Sequence, residues 1–173
     1  MSQGWSKLLD VGPLADGREE FNFSIPLTEF PRVLPQLVNP VGTATGRVSF
    51  SREGTLPVAD VQVRASAQLT CQRCLKPVAW EVDSSGRAAL VATAAEAERV
   101  PEWLETVLAA DNRISIRDLV EEELLLSLPL VPRHAALECA GDAAAAGAAV
   151  PEAGEPAETH RPFAQLSELF KRR

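Results

Sequence analysis

Two cysteines three positions apart, Cys71 and Cys74 in the run Cys-Gln-Arg-Cys-Leu-Lys-Pro, are the residues of this chain best arranged for chemistry. A Cys-x-x-Cys knuckle turns both sulfurs toward one point, so it suits a metal ion, a redox dithiol or a tight structural turn. Tetrahedral zinc wants two further soft or borderline donors. The chain offers His134 and Cys139, just after the prolines Pro129 and Pro132, and the four together would make a Cys3His site. The plainer readings are a surface histidine in a proline-flanked loop and a lone thiol. A thioredoxin-like dithiol needs its first cysteine at a helix N-terminus, where the dipole lowers the thiol pKa. Here Pro77 and a strand pattern follow instead. No glycine-rich phosphate loop and no nucleophile-elbow motif is present, and two histidines leave few partners for nucleophilic catalysis, so no enzyme is expected.

The elements that would position the knuckle are strands. From Val61 to Thr70 apolar residues alternate with polar ones, the period of a strand with one wet face, and Val78, Trp80 and Val82 alternate after Pro77. The two runs predict an antiparallel hairpin with Cys71 and Cys74 at its tip. Further strands are expected at 21–27, where Pro26 favours an edge, at 43–50, and at 87–93, with Ser84-Ser85-Gly86 as the turn into the last. Prolines 31, 35 and 40 allow no more than a helical turn between 28 and 40. Ser115-Ile116-Arg117-Asp118 has the arrangement that caps a helix start, and a helix over 116–128 follows, stopped by Pro129, with Glu121, Glu122 and Glu123 read as its wet side. The fold class is α+β, a mostly antiparallel sheet with a packed helix; whether the sheet closes into a barrel is not set by the pattern.

Domain organisation follows composition. Residues 1–139 read as a single domain, and 140–160 as an Ala/Gly/Pro/Glu-rich flexible linker. Residues 161–173 read as a short basic amphipathic helix in which Phe163, Leu166, Leu169 and Phe170 recur at helical spacing. That segment either docks on a partner or folds back on its own domain. Among 173 residues, 24 acidic against 17 basic side chains give a net charge of -7, which argues against nonspecific gripping of nucleic acid. No stretch is apolar enough to cross a bilayer and the start lacks a secretory apolar core, so a cytoplasmic protein is expected. There a cysteine pair is more often metal-binding or catalytic than a disulfide, and an odd count of three fits a disulfide framework poorly.

Three stretches, in this order and spacing, resemble a known family. They are Leu69 to Pro77 around the knuckle, Asp118 to Leu124 running into Leu128-Pro129-Leu130-Val131-Pro132-Arg133-His134, and the terminal Arg161-Pro162-Phe163-Ala164 with Leu166. The pattern is similar to the bacterial YceD family, the large ribosomal RNA subunit accumulation proteins. The resemblance implies a non-enzymatic factor supporting 23S ribosomal RNA synthesis, processing or accumulation, and so large-subunit biogenesis. The expected partner is a pre-50S particle, a ribosomal protein or 23S RNA, with no membrane and no small-molecule substrate. Relatives often carry further cysteines after the Leu-Pro segment, where this chain has His134 and Cys139. Gln72, Arg73 and Lys76 on the knuckle, Phe163 and Leu166, and Lys171, Arg172 and Arg173 at the tail are the candidate contacts. The competing class is a zinc-stabilised interaction or regulatory module unrelated to ribosomes.

Overall fold

In the computed structural model the described residues are 4–135 and 139. They fall within one compact unit, Met1–Cys139. Its strands are β1 (Leu9–Asp10), β2 (Glu20–Pro26), β3 (Leu37–Asn39), β4 (Thr43–Glu53), β5 (Leu56–Thr70), β6 (Pro77–Val91), β7 (Glu105–Leu108) and β8 (Arg113–Ile114). Its helices are α1 (Val11–Gly17), α2 (Ala94–Ala97) and α3 (Ile116–Ser127). The main sheet runs β2-β4-β5-β6-β7, with β3 pairing the end of β5 beyond the stretch that β4 pairs, and β1 and β8 form a small separate pair. All pairings are antiparallel except β6 with β7, and the sheet does not close. The fold is α+β, as the alternating pattern implied.

The two-residue period sorts the sheet into a dry and a wet face. Val61, Val63 and Ala65 of β5 and Val48 and Phe50 of β4 join one core with Leu119, Val120 and Leu124 of α3 and Val11 and Leu14 of α1. Both longer helices therefore cover the same face. On the opposite face Arg64 pairs Asp83 at 3.2 Å, Ser66 bonds Glu81 at 2.6 Å, and Arg87 reaches Asp60 and Glu53. One end of that wet face is covered, where Val58, Ala89 and Val91 meet Val100 and Leu104 from the chain after β6.

The strand expected at 21–27 is β2, with Pro26 on the sheet edge. The helix begins with Ser115 accepting from the Asp118 amide at 3.1 Å, the cap its sequence announces. Two expectations are corrected. Ser84-Ser85-Gly86 is not a turn: β6 runs unbroken through it, pairing β5 residue by residue from Pro77 to Ala89. The small residues are there because α3 comes close. Ser84 donates to the Glu123 carboxylate, and a Cβ on Gly86 would lie 2.0 Å from Glu123 Oε2. For the same reason the run Glu121 to Glu123 is not a solvated face. Glu121 is buried and accepts from the Arg32 amide at 2.7 Å and from its Nε at 3.3 Å, tying α3 to the loop before β3. The expected linker 140–160 and terminal segment 161–173 lie outside the described residues.

Candidate metal centre

The knuckle is built by the hairpin that carries it. Cys71 ends the β5 alternation on the buried side, and its N–H donates to Lys76 O at 2.9 Å across the turn. The Leu75 N–H closes back on Cys71 O at 2.9 Å with Leu75 at φ +60°, a left-handed position uncommon outside glycine. This backbone loop aims the Cys71 and Cys74 sulfurs inward. The second pair of donors arrives from the chain beyond α3. Pro129 follows the end of that helix, and the extended segment is pinned to the knuckle by the Gln72 N–H donating to Pro132 O at 2.9 Å.

Cys71, Cys74, His134 and Cys139 converge so that their four donor atoms lie within 4.8 Å of one another. The Cys71 and Cys139 sulfurs are 3.7 Å apart, and Cys74 Sγ is 3.4 Å from His134 Nδ1. Two sulfurs about 2.3 Å from one tetrahedral ion stand ~3.8 Å apart, and a sulfur and an imidazole nitrogen ~3.6 Å. Two of the observed separations thus already match the edges of such a tetrahedron. His134 Nε2 lies 3.0 Å from Pro77 O. A carbonyl can only accept, so Nε2 carries the hydrogen and Nδ1, on the sulfur side, keeps its lone pair, the orienting device usual for a ligating histidine. Leu69, Val78, Leu37 and Leu128 pack around the group, in which Cys71 and Cys139 are buried and Cys74 and His134 half-buried.

The thiols are polarised in opposite directions. Burial pushes Cys71 up, but the backbone amides of Cys74, His134 and Arg73 and the His134 side chain outweigh it and lower Cys71 to about 5. Burial, with hydrogen bonding to Cys74 and Cys71, pushes Cys139 up to about 11. A site that holds one thiolate against burial and forces its neighbour to keep a proton is one where a bound cation would replace that proton. The four residues fit a tetrahedral metal ion.

The structure brings these four sequence candidates together. It places Gln72, Arg73 and Lys76 exposed on the outer turn of the same knuckle, beside exposed Arg133. Phe163, Leu166, Lys171, Arg172 and Arg173 lie outside the described residues. Sequence reasoning missed the carbonyls of Pro77 and Pro132, which orient His134 and anchor its segment; a backbone oxygen leaves no trace in residue type.

Fold and site together define an α+β domain with a Cys3His knuckle at the tip of a long β-ribbon. The model of the family described as large ribosomal RNA subunit accumulation protein YceD matches residues 59–170, a span holding the whole knuckle and the segment that completes it. A protein of Haemophilus influenzae named large ribosomal RNA subunit accumulation protein YceD is 30% identical over 166 residues, covering 93% of this chain and 94% of that one. The chain belongs to the YceD family. No solved structure matches it.

Proposed function

We propose that this protein acts in the cytoplasm as a non-enzymatic factor supporting the accumulation of 23S ribosomal RNA and the assembly of the large ribosomal subunit. The observation that carries this is the family match across 59–170, which contains the knuckle and the Leu-Pro segment behind it. It favours the ribosomal reading over an unrelated zinc module. The non-enzymatic part is supported by the fate of the buried polar side chains among the described residues. Ser115 caps α3 and Glu121 holds Arg32, so neither is available to a substrate.

In this reading the knuckle is the contact surface, with Gln72, Arg73 and Lys76 offering local hydrogen bonds and positive charge to a pre-ribosomal protein or RNA surface. The net charge of -7 makes such contact local rather than a general grip on RNA. Zinc bound by Cys71, Cys74, His134 and Cys139 would supply rigidity to the knuckle. A depressed Cys71 thiol would also serve a dithiol oxidoreductase, but Cys71 follows a strand rather than opening a helix, and the oriented His134 makes sense as a ligand.

A deletion strain tests the function. Loss of the protein is expected to lower 23S RNA and free large subunits on a sucrose gradient, with restoration by the wild-type chain and weaker restoration by Arg73→Glu/Lys76→Glu. An unchanged gradient in the deletion strain would overturn the reading.

A further inference from the structure

The main sheet ends, at the far end of the β5–β6 ribbon from the knuckle, on a strand with an open edge. Among the described residues β7 pairs with β6 alone. The Ala109 N–H donates to Val91 O at 2.7 Å, and alternate residues of a strand turn their amides to opposite edges, so Leu108 and Thr106 turn theirs away from β6. Both residues are exposed. The opposite sheet edge, β2, is blunted by Pro26, whereas β7 carries no proline.

Beside this open edge lies a groove of about 650 Å³ between β7, the segment entering β1, the chain at β8 and the first turns of α3. Leu8 and Leu108 stand on its rim, 54% and 60% exposed, large apolar side chains with nothing over them among the described residues. Its lining carries more acid than base. Asp10, Asp111, Asp118 and Glu122 line it against a single cation, Arg113, which pairs Asp10 at 2.9 Å. From outside the groove Arg117 reaches Asp118 and Arg32 reaches Glu122, which leaves Asp111 as the carboxylate with no ion pair closer than the field of Arg113.

We propose that this groove receives an extended basic segment of a partner protein, added as a strand to the open edge of β7. Its lysine or arginine side chains would face Asp111 and the neighbouring carboxylates, and its alternate apolar side chains would cover Leu8 and Leu108. Strand addition takes its affinity from main-chain bonds and its specificity from side chains of alternating direction, the two resources this edge and groove provide. Charge complementarity sets the occupant: RNA or an acidic peptide would meet the same carboxylates as repulsion, and a second copy of this chain would bring the same acidic rim. The inference deepens the functional reading above by giving the chemistry of one partner. It places protein binding and the cationic knuckle at opposite ends of one ribbon.

The test uses the full chain and a fluorescein-labelled peptide of alternating lysine and valine, followed by fluorescence anisotropy. Saturable binding is expected, weakened about tenfold by Thr106→Pro, which removes an outward amide and leaves the ladder to β6 in place. Asp111→Asn should also weaken it and flatten its salt dependence. The same peptide N-methylated at alternate amides should bind no better than a glutamate–valine analogue. If N-methylation leaves affinity unchanged, or Thr106→Pro binds as wild type with an unaltered melting curve, association is by charge alone and the strand-addition site is refuted. Should Thr106→Pro fail to fold, the N-methylated peptide on the unaltered protein decides. None of these readouts involves ribosomal RNA, so failure here leaves the deletion-strain result standing, and the reverse.

Discussion

At the scale of single residues, three of the four donors are held in place by the backbone around them. Cys71 and Cys74 are aimed by the turn from Cys71 to Lys76, and His134 by the Pro77 carbonyl. Metal retention should therefore fall in graded fashion. Cys71→Ser and Cys139→Ser are expected to purify with little metal, and His134→Ala with a weakened site, measured as metal content per chain of tag-free protein. The thiol shifts predict a pH signature for the metal-free protein. Cys71 titrates near 5 when folded against an ordinary value of 9.0, so the unfolded chain binds more protons between them and stability rises with pH across that window. Cys139, raised to about 11, reverses the sign: above pH 9 the unfolded chain releases a proton the folded one keeps, and stability falls. The melting temperature of metal-free protein should gain a component that peaks near pH 9. Cys71→Ser should remove its rising limb and shrink the falling one, since Cys71 contributes to the Cys139 shift, and an identical profile in both proteins would refute the assignment.

Among the elements, strands and helix differ in how openly the chain announces them. The alternation of β5 and the Ser115 cap of α3 are local properties, set by side-chain period and by one hydroxyl, and both could be read directly. The unbroken course of β6 could not, because Ser84, Ser85 and Gly86 carry the composition of a turn while serving the approach of α3. Nor was α1 expected, because its seven residues include Gly12 and Pro13 and are too few for the spacing of Val11, Leu14 and Ala15 to stand out as a helical face. The start of α2, where Thr93 accepts from the Glu96 amide, does carry a local signature, Thr-x-x-Glu. Two glycines give a matched stability test. A Cβ at Gly46 would lie 1.9 Å from Gln62 O, a backbone atom that cannot yield, so Gly46→Ala should cost about 3 kcal/mol or more in urea unfolding. At Gly86 the obstacle is the end of the Glu123 side chain, which can swing aside and forfeit its bond to Ser84, so Gly86→Ala should cost about 1–2 kcal/mol. Glu121→Ala removes the buried acceptor of the part-buried Arg32 amide and should cost about 1–2 kcal/mol by the same measurement.

Over the described part of the molecule, the knuckle cluster and the main core are separate bodies of apolar contact that share only Leu37, Trp80 and Leu128 at their margin. Metal removal should therefore loosen one end of the ribbon and leave the sheet. With chelator, hydrogen exchange is expected to quicken at the Gln72 and Leu75 amides while those of Val48 and Val61 stay protected; uniform loss of protection would show a single cooperative core instead. The sequence by itself determined the hairpin, its Cys-x-x-Cys tip, the capped helix and the family pattern, because side-chain period, capping and motif order are properties of neighbours along the chain. Only the tertiary structure decided that His134 and Cys139 complete the set begun at Cys71 and Cys74. That meeting needs α3 to end where it does and the Pro132 carbonyl to take the Gln72 amide, contacts between residues sixty positions apart that no local pattern encodes.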